Sequence, residues 1–394
     1  MFCLRCFKDN KMTLVILFIS TFLFCCQPKQ TTNDVITGAA QVDHYTPLLL
    51  GKNVALVANQ TSLVNQVHLV DTLISKGINI SKVFAPEHGF RGEADAGASI
   101  DNTIDTKTGL PIFSLYGKNK KLSKEFLEDV DMVVFDIQDV GARFYTYIST
   151  LHYVMEACAE NSIPVLVLDR PNPNAHYVDG PVLDTVFKSF VGMHPIPIVH
   201  GMTLVEYAQM INGEYWLKDS VQCELYWQGM KNYDHQKSYN LPIKPSPNLP
   251  NSQSIALYPS LCLFEGTDMS VGRGTSQQFQ VIGSPKLDSC FYSFTPISGQ
   301  GAKYPKHENK DCCGWDLRDI EIQNKVDIKY LIEAYRKYEE KDERFFNSFF
   351  DKLAGSSQLR IQIESGWTSD QIKQTWKDGL DAFKKKRQLY LIYP

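Results

Sequence analysis

The stretch Met132-Val133-Val134-Phe135-Asp136-Ile137-Gln138-Asp139-Val140-Gly141-Ala142-Arg143-Phe144-Tyr145 decides the fold. Its first four residues are apolar on both faces, the pattern of a strand covered on two sides. A polar crossing follows at once. Beyond it Phe144, Tyr147, Ile148, Leu151, Val154, Met155 and Cys158 recur at spacings of three and four, the stripe of a half-buried helix. Val54-Ala55-Leu56-Val57-Ala58, Lys82-Val83-Phe84-Ala85 and Val165-Leu166-Val167-Leu168 repeat the strand pattern, and Val70, Leu73 and Ile74 make a shorter stripe. Such alternation predicts an α/β architecture, a doubly wound, mostly parallel sheet with helices on both faces. Thr203-x-x-Glu206 predicts a capping box opening another helix.

After about residue 275 the texture changes. Gln278–Ile282 and Phe291–Phe294 read as strands among Gly, Pro and Ser, and helices follow from about residue 327. The last helix is bounded by Thr368-x-x-Gln371 and carries Ile372, Trp376, Leu380 and Phe383. The expected organisation is a main domain over 41–275 and a smaller C-terminal α+β domain over 276–394.

Residues 1–25 read as an export signal, with Arg5, Lys8 and Lys11 preceding an apolar run too short to span a bilayer. Leu23-Phe24-Cys25-Cys26 resembles a lipobox, which makes Cys26 the lipidation site and 26–40 a linker; a cleaved signal without lipid is the alternative. The 394-residue chain is 43% hydrophobic with a formal net charge of −4, and losing this basic segment makes it more acidic. With no long Lys/Arg block it lacks the footprint of a nucleic-acid binder. Cys3, Cys6 and Cys25 fall in the export segment and Cys26 is the lipidation site, so four of the ten Cys leave the folding problem. The others form no C-x-x-C pair, which disfavours a zinc ribbon or a thioredoxin-like site. Cys290 with Cys312 or Cys313 is the expected disulfide of an exported protein, and Cys158 a buried thiol.

Ligands of open parallel sheets bind beyond the carboxyl ends of the strands. Those ends carry Asn59-Gln60-Thr61-Ser62, Pro86-Glu87-His88-Gly89-Phe90-Arg91, Asp136-Ile137-Gln138-Asp139 and Asp169-Arg170-Pro171-Asn172. No G-x-G-x-x-G, Walker loop, G-x-S-x-G or H-E-x-x-H accompanies them. Carboxylates, amides and aromatic residues together suit a saccharide, whose hydrolysis needs a proton donor and usually a second carboxylate. Glu87, at a strand end where half-burial raises a carboxyl pKa, is the candidate acid. Pairing with Arg91 or capping a helix is the competing role for it. Asp136 and Asp139 are candidates for the second carboxylate, and His88 and His200 for orienting substrate. Neither a cofactor nor a metal is called for. Glu265-Gly266-Thr267-Asp268-Met269-Ser270-Val271-Gly272-Arg273-Gly274-Thr275 forms a third cluster. There Arg273 either clamps a carboxylate or pairs with Glu265. Upstream, Asn248 lies in a stiff Pro-rich segment that shapes the cleft wall, reaching a sugar hydroxyl being its alternative role.

These segments, with Phe135 to Tyr147, Leu168 to Pro173, Phe350 to Gly355 and Gly379 to Phe383, together resemble the NamZ-like exo-β-N-acetylmuramidases from about residue 36 onward. The resemblance implies a Rossmann-like domain bearing the active site, a smaller C-terminal domain, and removal of terminal β-1,4-linked N-acetylmuramic acid (MurNAc) from peptidoglycan fragments. It leaves Glu87 as acid, with Asp136 or Glu265 as its partner. Arg91, Arg143, Arg170 and Arg273 are four candidates for the lactyl carboxylate of MurNAc. Asn59, His88, Gln138, Tyr145, Asp169, Asn172 and His200 are further substrate contacts. The expected partners are muropeptides or MurNAc-GlcNAc saccharides, and a bacterial membrane reached through the lipid. A non-catalytic peptidoglycan-binding lipoprotein and a hydrolase of another carbohydrate are the alternatives.

Overall fold

The computed structural model describes residues 34–87, 89–91, 103–115, 117, 120–290, 292–340 and 343–394. The export segment, Cys26 and His88 lie outside the described residues. The first half contains β1 (Asn53–Ala58), a hairpin of β2 (Leu63–Val64) and β3 (Val67–His68), β4 (Asn79–Ala85), β5 (Thr103–Ile104) and β6 (Pro111–Ser114). It continues with β7 (Met132–Asp136), β8 (Val165–Leu168) and β9 (Leu225–Gln228). Seven of these strands form one sheet in the order β5-β6-β4-β1-β7-β8-β9, parallel throughout except where β5 meets β6.

Alternate residues of the central strands feed two separate cores, as the two-residue period of a strand requires. Ala55, Val57, Val133, Phe135, Val165 and Val167 join one apolar cluster, while Val54, Leu56, Val134, Leu166 and Leu168 join the other. Helices α1 (Val42–Leu49) and α2 (Leu69–Ser75) cover the second face. Covering the first are α3 (Lys124–Leu127), α4 (Tyr147–Glu160) and α5 (Leu204–Gly213), the last opened by the expected Thr203–Glu206 capping box. The sheet is the Rossmann-like, doubly wound type. From β1 the chain steps outward to β4 and β6, then returns to the other side of β1 to lay down β7 and β8, so the strand order reverses between β1 and β7.

Helix α6 (Ser252–Leu261) leads into the smaller C-terminal region. There β10 (Val281–Ser284), β11 (Tyr292–Phe294) and β12 (Cys312–Asp316) form an antiparallel sheet in the order β10-β12-β11. Around it lie α7 (Lys329–Glu339), α8 (Phe350–Ala354), α9 (Gln358–Glu364), α10 (Ser369–Gln374) and α11 (Lys377–Arg387). Ile282, Leu331 and Phe350 belong to the same apolar cluster as Val133 and Leu151, so the two regions share one core. The last residues turn back to the large sheet. The Tyr393 hydroxyl donates to Asp169 Oδ2 (2.7 Å), the Ile392 N–H to Glu206 Oε1 (3.0 Å), and the His235 N–H to the Pro394 carbonyl (3.0 Å).

Several local expectations shift. The final helix is two helices: Thr368 caps α10, but the Thr375 and Trp376 N–H groups bond three residues back, to Ile372 and Lys373, a tightened turn that separates α11. The strand expected at Gln278–Ile282 begins only at Val281, because Phe279 sits at φ +54° and turns its ring against Tyr258, 4.9 Å away. Ile74, expected in the α2 stripe, is exposed, while Val70 and Leu73 are buried. Cys290 pairs with Cys313, whereas Cys312, its neighbour on β12, points to the opposite face and stays a buried thiol like Cys158.

Candidate active site

The crevice at the point of strand reversal is stitched shut by its own polar residues. Asn59 Oδ1 accepts from the Thr61 N–H (2.9 Å) and hydroxyl (2.5 Å), and the Ser62 hydroxyl donates to the Asp136 carbonyl. Asp136 has no exposed surface and takes a bidentate pair from Arg170 at 2.6 and 2.8 Å. Gln138 donates to the Pro171 carbonyl (2.6 Å), and Asn172 to the Met202 carbonyl (2.9 Å). Asn59, Asp136, Gln138, Arg170 and Asn172 are thus brought together as a floor beneath the site. They do not line it.

Beside that floor opens a cleft of about 440 Å³. Of the residues singled out in the sequence, Glu87, Tyr145, Glu265 and Arg273 line it, with Asn248 from the Pro-rich segment. Glu87 follows β4 in a turn closed by the Gly89 N–H on the Pro86 carbonyl (3.2 Å), with Gly89 at φ +79°. Glu87 is half-buried. Burial first, and then the charge of Glu87, raise the pKa of the Tyr147 hydroxyl above the ordinary phenol range, which sets the two groups in each other's field. The Tyr147 hydroxyl also accepts from Asn59 Nδ2 (2.9 Å), so the floor orients a cleft residue. Tyr145 packs edge-on to Tyr147 with ring centres 4.9 Å apart and donates to the Pro245 carbonyl (2.8 Å).

Glu265 comes from a short 3-10 turn, Cys262–Gly266. A Cβ on Gly266 would lie 2.4 Å from the Phe350 Cα, so glycine is what lets α8 close against this turn. Arg273 grips Glu265 with two of its three nitrogens, Nε to Oε1 at 2.5 Å and Nη2 to Oε2 at 3.0 Å, and lies 5.1 Å from the Phe279 ring. Burial disfavours the guanidinium charge, but Glu265 more than offsets this and the Arg273 pKa rises. The pair remains about a quarter exposed and opens to the cleft.

The other candidates are engaged elsewhere. Arg91 is held by Asp105 through two bonds of 2.8 Å and by Asp71. Arg143 is fully buried and donates to the carbonyls of Pro181, Ile196, Leu353 and Ala354, tying the first half to α8. Burial pushes the Asp169 carboxyl up to about 7, where it accepts from Tyr393 and the Val205 N–H, and pushes His200 down to about 3. Among the described residues no three His, Cys, Asp or Glu side chains gather in a way that would hold a metal. Sequence reasoning missed Lys120, Lys352, Phe190, Phe349 and Phe279, all of which line the cleft. Lys352 lies inside Phe350-Asp351-Lys352-Leu353-Ala354-Gly355, a motif noticed in the sequence without a role. Lys120 and Phe190, whose ring lies 4.4 Å from the Lys120 ammonium, sit in segments with no periodic signal.

Two carboxylates, aromatic walls and several cations in one cleft beside the carboxyl edge of a doubly wound sheet are the makings of a saccharide hydrolase. Residues 54–253 match the family model described as exo-β-N-acetylmuramidase NamZ, N-terminal, and residues 256–393 match its C-terminal counterpart. The chain belongs to this family. It is 39% identical over 379 residues to the peptidoglycan β-N-acetylmuramidase NamZ of Bacillus subtilis strain 168, with 89% of each chain covered. Two crystal structures of DUF1343 family proteins from Bacteroides fragilis share the fold. One is 48% identical with a TM-score of 0.85, the other 28% identical with a TM-score of 0.77, and each alignment covers 91% of this chain and 99% of the other.

Proposed function

We propose that this protein is an exo-β-N-acetylmuramidase that releases terminal, non-reducing β-1,4-linked MurNAc from peptidoglycan fragments during cell-wall turnover. The observation that carries this reading is the presence of Glu87 and Glu265 on one cleft, in a chain that matches both halves of the family. Glu87 protonates the leaving oxygen. Glu265, aligned by Arg273, acts on the opposite side of the bond as base or nucleophile. Asp136, sealed beneath the site by Arg170, positions the floor. The lactyl carboxylate, which N-acetylglucosamine lacks, meets Lys120, Lys352 or Arg273, the cations on the cleft wall. A fixed cation there discriminates between the two sugars.

Hydrolysis of 4-nitrophenyl-MurNAc by the soluble chain tests the activity. Turnover is expected, with much slower release from the N-acetylglucosamine analogue. Binding of MurNAc without turnover would make the protein a peptidoglycan-binding module instead, and equal rates on both sugars would make it a hydrolase of broader scope. We also propose export and lipid anchoring through Cys26, on the basic-then-apolar pattern of residues 1–25. Cys26→Ala is expected to move the protein from the membrane fraction to the soluble one.

A further inference from the structure

Glu265 rides on a turn whose shape is set from behind the cleft. The 3-10 turn Cys262–Gly266 ends beside Glu265, and the chain runs on through Thr267, Asp268 and Met269. Carbonyls at such an end need donors from elsewhere. Those of Phe264, Thr267 and Met269 converge on one ammonium: Lys306 Nζ donates to them at 3.5, 2.5 and 3.0 Å. An ammonium has just that many N–H donors. Phe264 and Thr267 bracket Glu265, so these bonds hold the backbone on either side of the carboxylate.

Lys306 belongs to an arm, residues 295–311, that joins β11 to β12 and is closed at its base by the Cys290–Cys313 disulfide. The same arm reaches the other half of the ion pair. The Ile297 N–H donates to the carbonyl of Gly274, the residue after Arg273, at 2.9 Å. Gly274 sits at φ +80°, and a Cβ on it would lie 2.8 Å from Pro305 Cβ. His307 adds a further hold, its Nε2 lying 2.5 Å from the Asp268 carbonyl. Among the described residues, none of this arm lines the cleft. Lys306 itself is half-buried. Burial pushes its pKa down, the charges of Glu265 and then Asp268 oppose that, and Arg273 adds to it. Keeping a cation out of water is costly, and an apolar side chain would pack there without that cost. What an apolar side chain cannot do is draw three carbonyls of one turn to one point.

We propose that Lys306 is a positioning residue for the reaction: by gathering the Phe264, Thr267 and Met269 carbonyls it fixes where the Glu265 carboxylate stands against the scissile bond. The proposal rests on the glycosidase reading above, in which Glu265 is base or nucleophile. Lys306→Met keeps the length of the side chain and removes its donors, whereas Lys306→Arg keeps a cation. With 4-nitrophenyl-MurNAc the kcat of Lys306→Met is expected to fall about 10- to 100-fold with KM within about twofold, because a slightly misplaced reacting group is slow while the binding contacts remain. Lys306→Arg should recover most of that loss. In a Glu265→Gln background, Lys306→Met should cost little more, since the two residues act as a unit. Losses that multiply, a change in KM alone, or equal losses in the Met and Arg variants would overturn the assignment. If Lys306→Met does not fold, Lys306→Gln, shorter and neutral, serves the same comparison. Crystal structures of the variants give a readout that needs no turnover. If the unaltered protein cleaves nothing, the glycosidase reading falls; a Glu265–Arg273 pair displaced in Lys306→Met and in place in Lys306→Arg still supports the hold of Lys306 on this turn, and a pair unmoved in Lys306→Met overturns it.

Discussion

Glu87 and Arg273 show how far single residues can be read before their neighbours are known. Glu87→Gln keeps the shape of the side chain and removes the proton. Its kcat/KM on MurNAc-GlcNAc is expected to fall by about 10²- to 10⁴-fold, the usual contribution of a general acid. The loss on 4-nitrophenyl-MurNAc should be much smaller, because nitrophenolate leaves without protonation; equal losses would assign the proton to another group. Arg273 looked like a clamp for the substrate carboxylate, yet two of its three nitrogens are engaged by Glu265. Arg273→Ala is therefore expected to lower kcat by misaligning that carboxylate. Lys352→Ala should instead weaken inhibition by free MurNAc about tenfold, as loss of one charged hydrogen bond does, and leave kcat nearly unchanged. Steady-state kinetics with MurNAc as inhibitor separates the two, and the reverse pattern would return the clamp to Arg273. That the strand ends are polar, and that a cleft opens beside them, fits the sequence. Which of those polar residues face the cleft was not legible: Asp136, Arg170 and Asn172 have the same composition as a binding site, but the first two satisfy one another and Asn172 donates to the Met202 carbonyl, a matter of side-chain direction that no one-dimensional pattern records.

Among the elements, those buried on both faces were the readable ones. β1, β4, β7 and β8 lie where their apolar runs put them, because a strand sandwiched between helix layers needs continuous hydrophobicity. The two-residue β5, the short β6 and the half-exposed β9 carry no such run, and each is recruited by an established neighbour. Likewise the break between α10 and α11 leaves helical dihedrals on both sides, so the apolar stripe runs straight through it. In the small sheet the disulfide joins β12 to the segment just before β11 across a separation of 23 residues. A loop of that length corresponds to about 3 kcal/mol of unfolded-state entropy. Cys313→Ser is expected to lower stability to denaturant by about that amount, and reductant should reproduce the loss in the unaltered protein. A midpoint that moves in neither case would mean the strands hold without the bridge.

At the scale of the whole molecule, the share of charge sealed inside governs how stability responds to pH. Asp139 is almost fully buried; its Oδ1 accepts from the Gly141 N–H at 2.6 Å, Oδ2 has no hydrogen-bond partner among the described residues, and burial raises its pKa to about 7. A folded-state value above the unfolded one means the native protein holds the proton more tightly. The contribution is therefore complete below the unfolded pKa near 4 and is lost as pH rises toward 7, at a cost of a few kcal/mol by neutrality. Asp139→Asn, nearly isosteric and always neutral, is expected to flatten that decline and raise the unfolding midpoint at pH 8 relative to pH 5. A variant whose pH profile runs parallel to that of the unaltered protein would place the slope elsewhere, Asp169 being the next group to examine.

The docking of residues 390–394 onto the large sheet bears on the order of assembly. Asp169 at the end of β8 and Glu206 in the first turn of α5 take hydrogen bonds from Tyr393 and Ile392, so acids near the middle of the chain are satisfied by its final residues. Until Ile392 and Tyr393 dock, the first lobe has its strands but not these donors to two of its buried carboxylates, which come from 186 and 224 residues further along the chain. The large sheet is thus completed by a distant segment and not by its own loops.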